Sequence, residues 1–351
     1  MGIYKIREKI TQLDKNIAKK KIPFQVLLEL TYRCNLRCLH CYCVDEAGRQ
    51  ELSLSEIERV LKELAALGCL QVTFSGGETF MREDFFDILG IARKLHYLIF
   101  IFTNGVAVDE AAAERIAGFA PLGVEVSLYG ATAETHEKIT RVKGSFQRTL
   151  RAIKLLKMRN VDVTVKWPLL KDTFSHYHKL IELAKSLHVE YRADPLIFPR
   201  NDRDPAPLAQ RLSDDELCLA YQYLGTSVIK EEPARLSAMQ KPVCGAGHDN
   251  CCVSPYGDVY PCVQFFLKFG NVRENSFHDI WYHSQAVRDY RKINTYADIP
   301  DCRACSMVAD CVRCPGLADL EDGSYLGKSQ ESCRLTRAVI QARKQLYKGG
   351  S

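Results

Sequence analysis

The sequence predicts an α/β fold, a parallel sheet of six strands followed by a cysteine-rich region. Three observations carry that expectation. Short β-rich apolar runs recur six times before Pro195, and amphipathic helical stretches separate them. After Cys244 the alternation gives way to closely spaced cysteines.

The apolar runs are Phe24–Leu30, Leu70–Phe74, Leu98–Phe102, Val124–Leu128, Val161–Val165 and Val189–Arg192. Helical stretches between them include Ser55–Leu67, Asp84–Leu95, Glu110–Phe119, Phe146–Arg159 and Tyr177–Leu187. Ser53 and Glu56 make a capping box ahead of the first helix, and Gly68 ends it. Short right-handed β-α-β crossovers build parallel sheets, and six repeats fall short of a closed eightfold barrel. The Pro-, Asp- and Arg-rich stretch Pro199–Pro207 reads as a connection, and Ser213 to about Glu231 as a bridging helix capped by its Ser-Asp-Asp start. The expected divisions are an extension over 1–23, an α/β core over 24–198, a linker and bridging helix over 199–243, and a cysteine-rich domain over 244–351.

A chain of 351 residues with 46% hydrophobic content can bury a sizeable core, and its length suggests two domains. The net charge of +5 is spread along it. The one dense basic run, Lys19-Lys20-Lys21, reads as a solvated helix end rather than a nucleic-acid arm. No apolar run reaches the roughly 18 residues of a membrane helix, and the N-terminus lacks a signal-peptide core. A soluble, cytoplasmic chain with neither membrane nor nucleic-acid partner is expected. In a reducing compartment its fifteen cysteines point to metal rather than disulfides. Cys43, Cys69, Cys218 and Cys252 fall outside ligand-like spacings and read as small fillers or incidental thiols.

The string TYRCNLRCLHCY sets Cys34, Cys38 and Cys41 on one loop directly after the first strand, where α/β barrels place their chemistry. Three thiolates leave a four-coordinate site one ligand short: either a fourth ligand comes from elsewhere, or an iron, as on a 4Fe–4S cluster, stays open to a small molecule. The strand-end loops that follow carry Ser75-Gly76-Gly77-Glu78, then Thr103-Asn104-Gly105, then Ser127. Paired glycines let backbone approach a ligand, and a carboxylate accepts from an ammonium group. Arg141, in ITRVKGSF, offers a guanidinium for a carboxylate, and Lys166 ends the fifth strand at the same mouth.

These residues together resemble the radical S-adenosylmethionine (SAM) superfamily. The resemblance implies a partial (β/α)6 TIM-type barrel and a 4Fe–4S cluster on Cys34, Cys38 and Cys41 whose open iron chelates SAM. Reductive cleavage of SAM then releases a 5′-deoxyadenosyl radical. Ser75, Gly76, Gly77 and Glu78 match the family's GGE motif, which holds the SAM amine. Thr103 and Asn104 match a TNG sequence at the next strand end, Ser127 matches a position that bonds the ribose or carboxylate, and Arg141 one that pairs with the carboxylate.

The C-terminal third reads CGAGHDNCCVSPYGDVYPC, then CRACSMVADCVRC, then Cys333. A hairpin turning at Gly257 would place Cys251 and Cys262 on paired strands. The pattern resembles the SPASM domain, with Gly257 followed by four residues and Cys262 as that pattern requires. The later block, C-x2-C-x5-C-x2-C from Cys302 to Cys314, is one residue shorter than the family's. By resemblance, Cys244, Cys251, Cys262 and Cys314 hold one auxiliary 4Fe–4S cluster, and Cys302, Cys305, Cys311 and Cys333 a second. Cys251 is preferred to Cys252 on its spacing from Gly257.

The resemblance implies three 4Fe–4S clusters, SAM as co-substrate and an electron donor such as flavodoxin or ferredoxin. The expected activity is a peptide maturase's: hydrogen abstraction from a peptide side-chain or backbone carbon, giving an oxidative cross-link with auxiliary clusters as electron acceptors. With little chain before the first strand, leader recognition is expected from a separate small protein or from the barrel. Maturation of a haem-like, quinone or tungsten-cofactor enzyme is the alternative. A sulfatase-type maturase is disfavoured because Val263 and Gln264, not Asp, follow Cys262. A zinc-stabilised binding protein explains the cysteines but not the strand-end loops. No catalytic acid or base stands out.

Overall fold

In a computed structural model, residues 17, 20–46, 48–224, 239–240, 242–293 and 295–348 are described. The six expected strands are present, each within about three residues of its expected ends: β1 Gln25–Glu29, β2 Gln71–Ser75, β3 Leu98–Thr103, β4 Gly123–Ser127, β5 Val163–Pro168 and β6 Glu190–Asp194. All pair in parallel in the order β6-β5-β4-β3-β2-β1. Right-handed crossover chemistry explains the order, because each helix returns the chain beside the strand it left.

The crossover helices are α1 Leu54–Ala66, α2 Phe85–Lys94, α3 Glu110–Gly118, α4 Ala133–Thr140, α5 Ser145–Met158 and α6 Tyr177–Ser186. Helix α1 carries the expected capping box: Ser53 accepts from the Glu56 backbone and the Glu56 carboxylate accepts in return. Gly68 follows with φ +87°, the left-handed stop that glycine takes without strain. Ile57, Val60, Leu61 and Leu64 of α1 pack with Val72 and Phe74 of β2 in one apolar core. That core also contains Trp281, Phe277 and Val259 from the C-terminal third.

The sheet is larger than expected. Beyond β1 it continues through β7 Asn250–Val253, β8 Asp258–Tyr260 and β9 Gly270–Asn271, making nine strands. Strand β7 lies parallel to β1, and the hairpin β7–β8 turns at Gly257 as expected, with Cys262 just past its end. The cysteine-rich region therefore shares hydrogen bonds and core with the barrel. Five further helices lie among the described residues: α7 Asp214–Leu224, α8 Phe277–His283, α9 Gln285–Tyr290, α10 Pro315–Asp322 and α11 Gln330–Lys348. Helix α7 starts at the expected Ser213 cap and packs on α11; the expected remainder of the bridge, 225–231, lies outside the described residues.

Candidate functional site

The ends of β1 to β5 open into one cavity of about 290 Å³. Cys34, Cys38 and Cys41 line it, as do Ser75, Gly76 and Gly77 of the second loop, Thr103 and Asn104 of the third, and Ser127 of the fourth. Parallel pairing explains this convergence, because all C-terminal strand ends point the same way. Asn104 Nδ2 donates to Asn35 Oδ1 at 2.7 Å and lies 3.7 Å from Cys34 Sγ, locking the third loop to the cysteine loop. On that loop His40 is half-buried, with its Nδ1 buried and unpartnered, edge-on to Tyr129 at 4.6 Å. Three converging thiols beside an orphaned ring nitrogen fit a metal cluster with a polar co-ligand.

The two glycines of the second loop serve a close backbone approach. A Cβ on Gly76, at φ +132°, would stand 2.2 Å from the Thr31 carbonyl, and one on Gly77 2.5 Å from the carbonyls of Tyr32 and Arg33. The neighbour they admit is the root of the cysteine loop itself. The Glu78 carboxylate, expected to hold an ammonium group, is spent inside the protein. It accepts from Asn104 N and Thr103 Oγ1, both at 2.7 Å, and from Phe80 N at 3.3 Å. Its side chain ties two loops together, since a buried carboxylate must find donors nearby. Ser75, Gly76 and Gly77, not Glu78, are the residues of this loop that line the cavity.

Arg141 does not line the first cavity. It caps α4 in the left-handed conformation (φ 57°), and its exposed side chain lines a second cavity that Cys34, Cys38 and Cys41 also line, with Arg37 and Arg200. Lys166 does reach the first cavity, but paired: its Nζ lies 3.0 Å from Glu125 Oε2 and 4.1 Å from the centre of the Phe102 ring.

Burial pushes the Cys34 thiol up to about 11 and holds the His40 ring down to about 4. Cys41 differs: the Cys43 thiol beside it brings it down to about 7. Thiols of this kind give up their protons when metal replaces them. A shared local turn prepares them. The backbone N–H two residues on points at the sulfur of Cys34 (Leu36 N), Cys244 (Ala246 N) and Cys305 (Met307 N), each at 3.4 Å. At Cys34 this donor favours thiolate, against the larger opposing effect of burial.

Cys302, Cys305, Cys311 and Cys333 line one cavity together with Ser329 and Ser332. Cys244, Cys262 and Cys314 converge around Tyr290, whose hydroxyl is pushed up chiefly by burial and then by these three thiols. Cys251 is not with them; it is packed in the apolar core. Val263 and Gln264, immediately after Cys262, line the first cavity opposite the Cys34 loop.

Sequence reasoning missed a buried group between the two cysteine sets. Glu29 ends β1 at 3% exposure and accepts from Tyr42 Oη at 2.7 Å and Tyr32 Oη at 2.8 Å. Cys252 Sγ lies 3.7 Å from the same carboxylate, and burial raises the Glu29 pKa to about 7. The one signal was a charged residue inside an apolar run, FQVLLEL, followed by tyrosines flanking the cysteines.

Comparison with known proteins agrees with this architecture. The radical SAM superfamily model matches residues 28–184, and the model of the SPASM iron–sulfur cluster-binding domain matches 244–306. The chain is 28% identical over 339 residues to AdoMet-dependent heme synthase of Methanosarcina barkeri, covering 88% of this chain and 96% of that protein. It is 28% identical over 292 residues to mycofactocin maturase MftC of Mycolicibacterium smegmatis (77% and 73%). It is also 28% identical over 305 residues to PqqA peptide cyclase of Granulibacter bethesdensis (81% and 79%). Among solved structures, Streptococcus suis SuiB bound to its precursor peptide SuiA superposes with a TM-score of 0.71 at 16% identity, covering 95% of this chain and 81% of that one.

Proposed function

We propose that this chain, a radical SAM enzyme with a C-terminal SPASM domain, oxidatively modifies a peptide. The reading assigns Cys34, Cys38 and Cys41 to the SAM-binding cluster, Cys302, Cys305, Cys311 and Cys333 to one auxiliary cluster, and Cys244, Cys262 and Cys314 to the other. When bound, these groups and SAM supply a radical that takes a hydrogen atom and a sink for the electron left behind.

One observation carries the reading: Val263 and Gln264, next to Cys262, line the same cavity as Cys34, Cys38 and Cys41. A substrate carbon seated there is flanked by both thiol sets. Backbone of Ser75–Gly77, with Thr103, Asn104 and Ser127, offers the polar groups that orient SAM. Leu27, Phe102 and Tyr129 line the rest of the wall and keep water from the reacting carbon. Loss of one hydrogen atom from carbon, then of one electron and one proton as the new bond closes, balances a cross-link that removes two hydrogens in all.

Two partners complete the proposal. An electron donor of the flavodoxin or ferredoxin class reduces the SAM-binding cluster, and a separate protein presents any leader peptide. Among the described residues no helix is long and apolar enough to cross a membrane, which accords with a cytoplasmic setting.

The test is anaerobic reconstitution to about 12 irons per chain, then reduction with SAM and candidate precursor peptides. 5′-Deoxyadenosine with a peptide lighter by two hydrogens supports the reading; a reconstituted chain that never cleaves SAM defeats it. A second reading, synthesis of a haem-like cofactor, is favoured by the alignment that spans 96% of the heme synthase. Titration with a porphyrin separates the two, since only that reading predicts tight binding with a shifted visible band.

A further inference from the structure

We infer that Cys252, and not its neighbour Cys251, is the fourth thiolate of the first auxiliary cluster, beside Cys244, Cys262 and Cys314. The inference rests on the proposed reading of those three cysteines as cluster ligands.

Adjacent residues of a strand face opposite sides of the sheet, so β7 can present only one of the pair. Its pairing with β1 decides which. Cys251 stands in register with Val26 and Cys252 with Leu27. Val26 is 1% exposed and belongs to the apolar core under the helices, whereas Leu27 lines the first cavity. Cys251 follows Val26: it is 3% exposed within that core, and among the described residues the charged groups that reach it are Cys69 and Arg291. None of Cys244, Cys262 or Cys314 does. Bringing Cys251 to them would need a one-residue slip of β7, which would turn every β7 side chain to the wrong face.

Cys252 follows Leu27 toward the barrel interior. There it meets the Glu29 carboxylate at 3.7 Å and the charge of Cys262. On the antiparallel partner β8 its register mate is Tyr260. Cys262 follows two residues later, just past the end of β8, and its charge reaches Cys252. Cys262 in turn feels Cys244 and Cys314, so Cys252 is linked to that pair through Cys262.

The assignment has a structural consequence. Tyr42, adjacent to Cys41, donates to one oxygen of Glu29, while Cys252 lies against the other. With Cys252 as ligand, a single buried carboxyl joins the SAM-cluster loop to the first auxiliary site.

The test starts from the full chain carrying Cys34→Ala, Cys38→Ala and Cys41→Ala, so that only the C-terminal iron is counted. Cys251→Val, which fills the core position, and Cys252→Ala are then introduced separately. Iron and sulfide are measured per chain, with electron paramagnetic resonance of the reduced protein. The parent should hold about 8 irons. Cys251→Val should match it in iron and spectrum, while Cys252→Ala should lose at least one iron with a changed signal from one cluster. Cys252→Ser, which keeps an oxygen ligand, should regain iron at a lower reduction potential. Iron loss in Cys251→Val, or a parental iron count and spectrum in Cys252→Ala, overturns the inference. A parent without iron defeats the underlying cluster reading instead, and the two failures are told apart by that first measurement.

Discussion

The barrel half and the segment from Tyr296 to Cys333 are held together by different physics. In the barrel, six helices lay apolar faces on a parallel ladder, and residues such as Val72, Phe74, Ile101 and Val126 are wholly buried. Between Tyr296 and Cys311 the chain makes only short 3-10 turns, and its local apolar cluster is built on Tyr296 and Val308. Polar ties hold the neighbouring loops. The buried Arg313 guanidinium donates to the carbonyls of Tyr325 at 2.6 Å and Gly327 at 2.7 Å, and Tyr296 Oη to that of Cys311 at 3.2 Å. A segment so poor in apolar burial needs ligand bonds, and four thiols surround its cavity. Hydrophobic burial holds one half; at the end of the other, four thiols gather round one cavity.

The sharpest way to break this contrast is to remove ligands from each side. Cys38→Ala should lower 5′-deoxyadenosine formation below detection while circular dichroism stays native, because the barrel does not need its cluster to fold. Cys305→Ala should keep uncoupled SAM cleavage but lose peptide product. A Cys305→Ala enzyme that still makes product would remove the second auxiliary cluster from the electron path.

Metal removal reads the same contrast as stability. After chelation, hydrogen exchange of residues 296–314 should accelerate by about 100-fold or more, while β1–β5 keep their protection. Equal loss in both halves would mean that the iron holds the whole chain.

Gly76→Ala asks how rigidly the barrel loop is packed. Its new Cβ would meet the Thr31 carbonyl at 2.2 Å, backbone against backbone, at a φ of +132°. A loss of about 4 kcal/mol in denaturant unfolding is expected, together with failure to bind the first cluster.

The smallest effect lies on β1, the strand shared by both halves. Burial lifts the Glu29 carboxyl from 4.5 to about 7, so the folded chain keeps a proton that the unfolded chain releases. Its contribution is whole below about pH 4.5 and is lost as pH rises through about 7. Glu29→Gln has no such proton to lose. Thermal unfolding across that window should show the variant gaining on the parent by up to about 3 kcal/mol; parallel pH profiles would show that Glu29 does not titrate with folding.

Much of this was readable from the chain because it is local. The Ser53–Glu56 box, the left-handed stop at Gly68 and the alternation of strand and helix are set by residues within a turn or two of each other. The spacing of Cys34, Cys38 and Cys41 is local too, and the loop needs only the strand before it. Three placements were beyond local reach. Glu78 and Arg141 were assigned to a ligand on motif, but the carboxylate takes the nearest buried donors, and the arginine, at a helix cap, lines the second cavity along the cysteine loop rather than the first. Cys251 was preferred on spacing, though spacing is blind to facing. The sequence by itself determined that a parallel α/β half precedes a thiol-rich end, because periodicity and ligand spacing are short-range properties. Only the tertiary structure decided which of two adjacent cysteines turns inward: a strand offers both faces equally, and the neighbour it pairs with, β1, lies more than 200 residues earlier.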